Sequence, residues 1–587
     1  MILPESCYVE FRAKRLRDAR IVYSGVKSGR DKDLLEQCAY IIPSELESED
    51  QLLEESASFY AERYGGPGIG THGGGVRCGI RGSYQVKGVG ANQLRGTNTI
   101  NTSFWHAHGG VNIAEAIQEA AWGEVFNHAL PYGSVRVVAI ISTSTTCWYE
   151  NALGEKVKAP RALIVRPPVI RPAHFMRAVY FCSEGFSSKG DVDRVRAAIK
   201  HLPRLLPNSL IPGMDTQTEG WEKVEKGLHE MAFRFAAQAA AAHSKRLMHG
   251  AINASNISLD GRWLDYGTAT SLPSHANTRS YGLPPHLPTL WEESHRSHSI
   301  LRDIVFYTHK YLPGAPPFDS RCVGRLVSIY DKAYEASLSH SFLGIGGLLW
   351  GVSTKNNAYP EYVVLGRLIQ EVAKSGVEHR LIPSVPDLSV FGSSQLGKIL
   401  LTMACWCSHE SCDYRLSTRI NCAALRGRFI KGYLSVFREI EKAASVRGVS
   451  MLAVRHWLAL HAIKASISMA DLYRNRMKPM LSDMMLLNWK EFEIENFAQS
   501  FIDELSEKAA VAYGPTASDR TLVWSKNKES IWYDITTDLW IVISGDDYTS
   551  WPVSNKNLPF LLDINSFFGC DVSELLDDVG RNCGIYE

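Results

Sequence analysis

Between Tyr64 and Gly90 the chain carries glycine at 65, 66, 68, 70, 73, 74, 75, 79, 82, 88 and 90. No other stretch limits the fold as strongly. Glycine at this density lets the backbone take positive φ and approach a ligand closely. Aromatic, basic and β-branched residues are interleaved, so the segment is not of low complexity. It runs into Ser83-Tyr84-Gln85-Val86-Lys87, whose alternation predicts a short strand. A lysine on a strand just after a glycine-rich loop is placed to clamp a nucleotide phosphate. No Gly-Lys-Ser/Thr follows the glycines, so a P-loop is excluded.

The next segment repeats apolar residues at helical spacing, Ile113, Ile117, Ala120, Ala121, Val125 and Phe126, and Pro131 and Gly133 end it. Glu119 on this predicted helix needs a cationic partner if buried, and Lys87 is the natural one; Glu115 and Glu124 compete for the role. The β-branched runs Val135–Ile141 and Ala162–Val165, split by Asn-Ala-Leu-Gly, predict a hairpin. After Gly185 the pattern is mainly helical, with a stripe of Leu228, Met231, Phe235, Ala236 and Ala239 leading to His249. Further helices are expected near 290–312, 321–337, 359–375 and 447–475, and short strands at Thr521–Trp524, Ile531–Ile535 and Leu539–Ser544.

Segment 249–268 reads HGAINASNISLDGRWLDYGT. An aspartate followed by an aromatic and a glycine, Asp265-Tyr266-Gly267, has the form of the kinase metal-binding Asp-Phe-Gly. Asn256 stands where a kinase asparagine binds a second metal, and its distance along the chain from His249 equals that in the kinase H-R-D-L-x-x-x-N loop. Hard oxygen ligands from Asn256 and Asp265 suit magnesium on a triphosphate. The position of the kinase base is Ala251, which cannot accept a proton, so ordinary γ-phosphoryl transfer is disfavoured.

These residues resemble the selenoprotein O (SelO) family, protein adenylyltransferases of pseudokinase fold. The match rests on His249, Gly250, Asn253, Asn256, Asp265, Tyr266 and Gly267, on Val86-Lys87-Gly88-Val89-Gly90, and on Gln118-Glu119. Tyr64-Gly65-Gly66 through Gly70, Arg77, Val165-Arg166 and Arg171-Pro172-Ala173-His174-Phe175 extend it over about residues 60–310. The resemblance implies an α/β (α+β), protein-kinase-like two-lobed fold with a mostly helical C-terminal extension. It implies ATP bound in a flipped orientation, with magnesium or manganese, and AMP transferred to a protein or peptide acceptor. Gly66, Gly68, Gly70, Arg77, Lys87, Gly88, Arg166 and Arg171 would hold the nucleotide, Glu119 would orient Lys87, and Asn256 with Asp265 would bind the metal. The family's base aspartate is here Ser255, its glycine loop is shortened to Pro67-Gly68-Ile69, and Arg166 and Arg171 lie closer together. A carboxylate acceptor would need no base at all. The alternative is a nucleotide-binding pseudoenzyme that scaffolds a partner.

The expected divisions are a helical N-terminal extension at 1–60, a sheet-bearing lobe at 61–185, a helical lobe at 186–400 and an extension at 401–587. The chain balances 63 Lys and Arg against 62 Asp and Glu, a net charge of +1, which gives no electrostatic case for nucleic acid or an anionic membrane. With 45% apolar residues it can bury a large core, and nothing approaches the ~18 uncharged apolar residues of a membrane span. The N-terminus has no apolar signal core, so a cytoplasmic protein is expected. The 12 cysteines read as reduced thiols. Cys405, Cys407, His409, Cys412 and Cys422 could hold zinc in an interaction module, but their spacing crowds a tetrahedron and buried thiols are favoured. Cys570 and Cys583 are candidates for a regulatory disulfide.

Overall fold

In the computed structural model the described residues are 2–25, 30–97, 108–150, 155–183, 185–211, 220–276, 288–345, 360–375, 394–406, 411–486, 491–514, 516–517 and 519–582. They form a mixed α/β structure built on a large antiparallel sheet. Its strands are β1 (Tyr8–Leu16), β2 (Arg20–Ser24), β3 (Tyr40–Ile41), β4 (Leu52–Glu62), β5 (Cys78–Arg81), β6 (Tyr84–Lys87), β7 (Ala139–Glu150) and β8 (Lys156–Arg166). Their spatial order is β2-β7-β8-β6-β5-β4-β1-β3.

Half of that sheet comes from residues expected to be a helical extension. Residues 8–62 supply four strands, and helix Asp31–Cys38 is the α-helix among them. The charges that suggested helix are the outer face of a strand: along β1, Phe11, Ala13 and Leu16 are buried while Glu10, Arg12 and Lys14 are exposed. From Glu10 to Lys14 that is period two, with a register shift bringing Leu16 inward, and it outranks charge density as a signal.

The alternation also decides where the chemistry faces. Val86 of β6 and Leu163 and Val165 of β8 enter a core with Phe11, Tyr40 and Phe59 on one face of the sheet. Gln85, Lys87 and Arg166, out of phase with them, lie on the opposite face. That face is covered by helix Ile113–Ala129, which Asn112 caps by accepting the Glu115 amide at 2.8 Å. The helix is buried on nearly every side, with helices Glu491–Tyr513 and Arg474–Leu486 also against it. The C-terminal part therefore reaches back to the sheet. Gln499 accepts from the Ser24 amide at 3.2 Å, and the hydroxyls of Tyr149 and Ser482 are 3.1 Å apart.

Helices Ser188–Leu205, Trp221–Ser244, Arg296–Tyr311, Ser320–Leu343, Pro360–Ser375 and Met451–Ser466 fall where helical periodicity was read. The 151–154 turn between β7 and β8 lies outside the described residues. Near the end, Arg520–Lys526, Glu529–Asp534 and Leu539–Ser544 are strands as expected. Two edge strands, Thr516–Ala517 and Asp547–Pro552, complete a five-stranded meander. The first is too short and the second too exposed to show apolar alternation. No helix among the described residues is long and apolar enough to cross a membrane.

Candidate functional site

The glycine run connects antiparallel neighbours β4 and β5, with Arg63 and Gly74 bridged across it. Gly66 and Gly68 have φ of +108° and +86°. A Cβ on Gly68 would lie 3.0 Å from the Cβ of Asn253, and one on Gly66 would lie 2.7 Å from Met176 Sδ and 3.4 Å from the Cβ of Ala254. The loop thus lies against the 253–254 turn, with no room for larger side chains. Gly70 faces open space. Gly88, at φ +100°, turns the chain after Lys87, and a Cβ there would meet the Ala162 carbonyl at 2.7 Å.

Lys87 is 2% exposed and its Nζ donates to Glu119 Oε2 at 2.5 Å and to Asp265 Oδ1 at 2.6 Å. Glu119 Oε1 accepts from Arg166 at 2.7 Å. The network continues through Gln85, whose Oε1 accepts from Arg166 at 2.9 Å and Arg171 at 3.1 Å, and whose amide donates to Glu62. Arg171 also donates to the Ser255 carbonyl at 2.9 Å. His174 Nδ1 accepts the Arg171 amide at 3.0 Å, so its proton sits on Nε2, 3.3 Å from Glu62 Oε1. Arg77 pairs with Glu115 at 3.0 Å on the next turn of the same helix.

Burial works to raise the carboxyl of Asp265, but Lys87, Arg166 and Arg77 outweigh it and hold that group well below the usual range. Burial likewise works to lower Lys87, and Asp265 with Glu119 outweighs it, so the ammonium stays charged above its ordinary value. Of this network Asp265 faces outward, with a side chain 35% exposed, and its φ is +69°. Arg171 Nε, although buried, has no hydrogen-bond partner among the described residues. The partly exposed Asp265 carboxylate, kept ionised by the buried cations around it, has the hard oxygen donors that suit a divalent metal.

The segment holding Asp265 is framed by its own ribbon. Leu247–Met248 pairs with Thr270–Ser271, and Ile257 bridges Trp263. His249, buried, bonds the Leu264 carbonyl through Nε2 at 2.9 Å, so it braces the loop. Asn256 donates from Nδ2 to the Ala251 carbonyl at 2.9 Å, which fixes the direction of Oδ1, and its own carbonyl accepts from Leu264 N at 3.1 Å. Ser255 Oγ lies 2.8 Å from Asn253 Oδ1 and 3.1 Å from Asn256 Oδ1, and donates its single proton there. Glu293, 1% exposed, accepts the amides of His249 at 3.2 Å and Gly250 at 2.5 Å. Glu293→Ala is expected to cost about 3 kcal/mol, because it orphans two buried amides; urea denaturation measures it, and a loss under ~1 kcal/mol would show that water replaces the carboxylate.

The structure therefore brings together Lys87, Glu119, Arg166, Arg171 and Asp265, with Arg77 one helical turn away and Ser255 and Asn256 on the adjoining loop. Glu62, Gln85 and Glu293 were not singled out from sequence. Gln85 had a usable signal, since it sits two residues before Lys87 on the same strand face. Glu62 and Glu293 have none, because their roles depend on which distant segments meet. Among the described residues no three His, Cys, Asp or Glu gather as metal ligands. Cys405 and Cys412 are buried, Cys412 Sγ lies 3.3 Å from Met403 Sδ, and Cys422 is exposed. Cys407, His409 and Cys583 lie outside the described residues. No protein-family model matches the chain, and no curated protein matches it.

Proposed function

We propose that the chain is an ATP- and magnesium-dependent nucleotidyltransferase of kinase-like two-lobed architecture that moves AMP to a protein or peptide acceptor. The observation that carries the reading is the Lys87 ammonium held between Glu119 on the helix and Asp265 on the loop. A strand lysine paired to a helix glutamate, facing a metal-binding aspartate, is the constellation that kinase-type phosphoryl transfer requires. Arg166 and Arg171 add fixed cations in the same network, and by the resemblance Gly66, Gly68, Gly70, Arg77 and Gly88 would hold the nucleotide with them. Asn256 and Asp265 would hold magnesium, which neutralises charge on the leaving pyrophosphate. Transfer of AMP rather than phosphate follows the resemblance to the SelO family.

The role of Ser255 divides this reading from its rival, a nucleotide-binding scaffold without activity. Its hydroxyl is spent on Asn253 or Asn256, and Ala251 offers no carboxylate. A hydroxyl acceptor therefore meets no base there, whereas a carboxylate acceptor needs none. Ser255→Asp is expected to raise incorporation of α-labelled ATP into hydroxyl-bearing peptides, or into the chain itself, by about 10²-fold. No gain in a variant that folds and binds ATP would favour the scaffold.

A further inference from the structure

Away from that network, a cavity of about 380 Å³ lies where helices Ile113–Ala129, Trp221–Ser244, Ser320–Leu343 and Glu491–Tyr513 end, beside the last turn of Met451–Ser466. Lys245, Lys464, His340, His461 and His128 line it, and no Asp or Glu is among its described lining residues. Asp503, Glu504 and Glu507 line an adjoining groove that shares His128 with it.

The hydrogen bonding inside is incomplete. Lys245 donates to the Ala129 carbonyl, and Lys464 donates to Leu522 O at 2.9 Å and Thr521 Oγ1 at 3.2 Å. His340 is 7% exposed with neither ring nitrogen bonded, and His461 is 8% exposed with Nε2 unbonded. Helix C-terminal carbonyls attract cations and account for Lys245 on Ala129. They give the two imidazoles no partner. Lysines buried without a counter-charge are costly, and burial lowers both Lys245 and Lys464 to about 7, with Lys245 also acting on Lys464.

We propose that this cavity binds a small molecule bearing an oxyanion, phosphate or carboxylate, on a compact apolar body. The oxyanion would meet Lys245, Lys464 and the unbonded Nε2 of His461, in the tautomer that carries the ring proton there. Phe233, Ala237, Ala241 and Ile345 supply the apolar wall. The remaining titratable groups on the wall, Tyr132 and Tyr513, stay protonated near neutrality and add hydroxyl donors. An anion favours the charged lysines, so binding takes up protons and weakens as pH rises above about 7. The inference does not depend on what the Lys87 network binds.

The test titrates the full chain with sodium pyrophosphate and, separately, sodium octanoate, reading heat of binding and melting temperature. Wild type, Lys245→Gln, His461→Gln and Lys87→Ala are compared, each checked by circular dichroism; two cavity variants are used so that misfolding of one leaves the other. The expected result is binding by at least one probe, kept in Lys87→Ala and lost in a folded cavity variant. Binding should also be about tenfold weaker near pH 8.5 than near pH 6.5. Which probe binds distinguishes a phosphate from a carboxylate ligand. Binding that Lys87→Ala removes and the cavity variants keep would overturn the proposal, as would no binding by either probe at millimolar concentration.

Discussion

Glu119→Ala is expected to lower the free energy of unfolding by about 3–5 kcal/mol, the range for removing one partner of a buried ion pair. Glu119 is 3% exposed and its two oxygens serve Lys87 and Arg166 separately. Its loss leaves two buried cations with Asp265 as the remaining carboxylate on Lys87, and that carboxylate is partly in solvent. Glu119→Gln keeps the volume and one acceptor and should cost about 1–3 kcal/mol. Urea unfolding with an unchanged slope measures both, and an alanine cost below ~1 kcal/mol would show that the network is not coupled as its geometry indicates.

The pH dependence of this network has a definite sign. Asp265 is depressed, so its contribution is complete above the ordinary carboxylate value and is lost as pH falls through its lower folded value. Lys87 is raised, so its contribution is present below its ordinary value and is lost only as pH climbs through the higher folded one. Across the neutral range the pair stays ionised, and Glu119→Ala should cost nearly the same throughout it.

The second large effect is on activity. Lys87→Ala and Asp265→Ala are each expected to reduce AMP transfer by at least about 10²–10³-fold, because positioning and electrostatics supply most of phosphoryl-transfer catalysis. Arg166 and Arg171 remain in both variants but cannot take the place of the bridging ammonium. Loss in one variant with full activity in the other would separate two residues that the structure places 2.6 Å apart.

Lys87, Glu119 and Asp265 could be read from sequence because each sits on a periodic or turn-marked element. Strand alternation turned Lys87 inward, helical spacing turned Glu119 toward it, and Asp-Tyr-Gly marked the loop. The partners that organise Arg171 could not be read the same way. Glu62 ends β4, and its nearness to Gln85 of β6 and to His174 depends on β5 lying between those strands. The N-terminal strands are hidden in the sequence for a related reason. Their exposed charges resemble a helix surface until the alternation of Glu10, Arg12 and Lys14 with Phe11 and Ala13 is counted, and the register shift before Leu16 breaks that alternation. Helix Ile113–Ala129 was found by its apolar spacing, yet its burial by the distant Glu491–Tyr513 segment has no local signature.

The most direct measurement is parallel incubation of the chain with ATP labelled at the α or the γ phosphate, with magnesium and then manganese, alongside Lys87→Ala and Asp265→Ala. The account predicts label from the α phosphate alone, on the chain or on an added protein, and none in either variant. Label from the γ phosphate alone would contradict it and make the chain a kinase despite Ala251. Transfer of neither label, with ATP still raising the melting temperature through Asp265, would contradict it in favour of the scaffold.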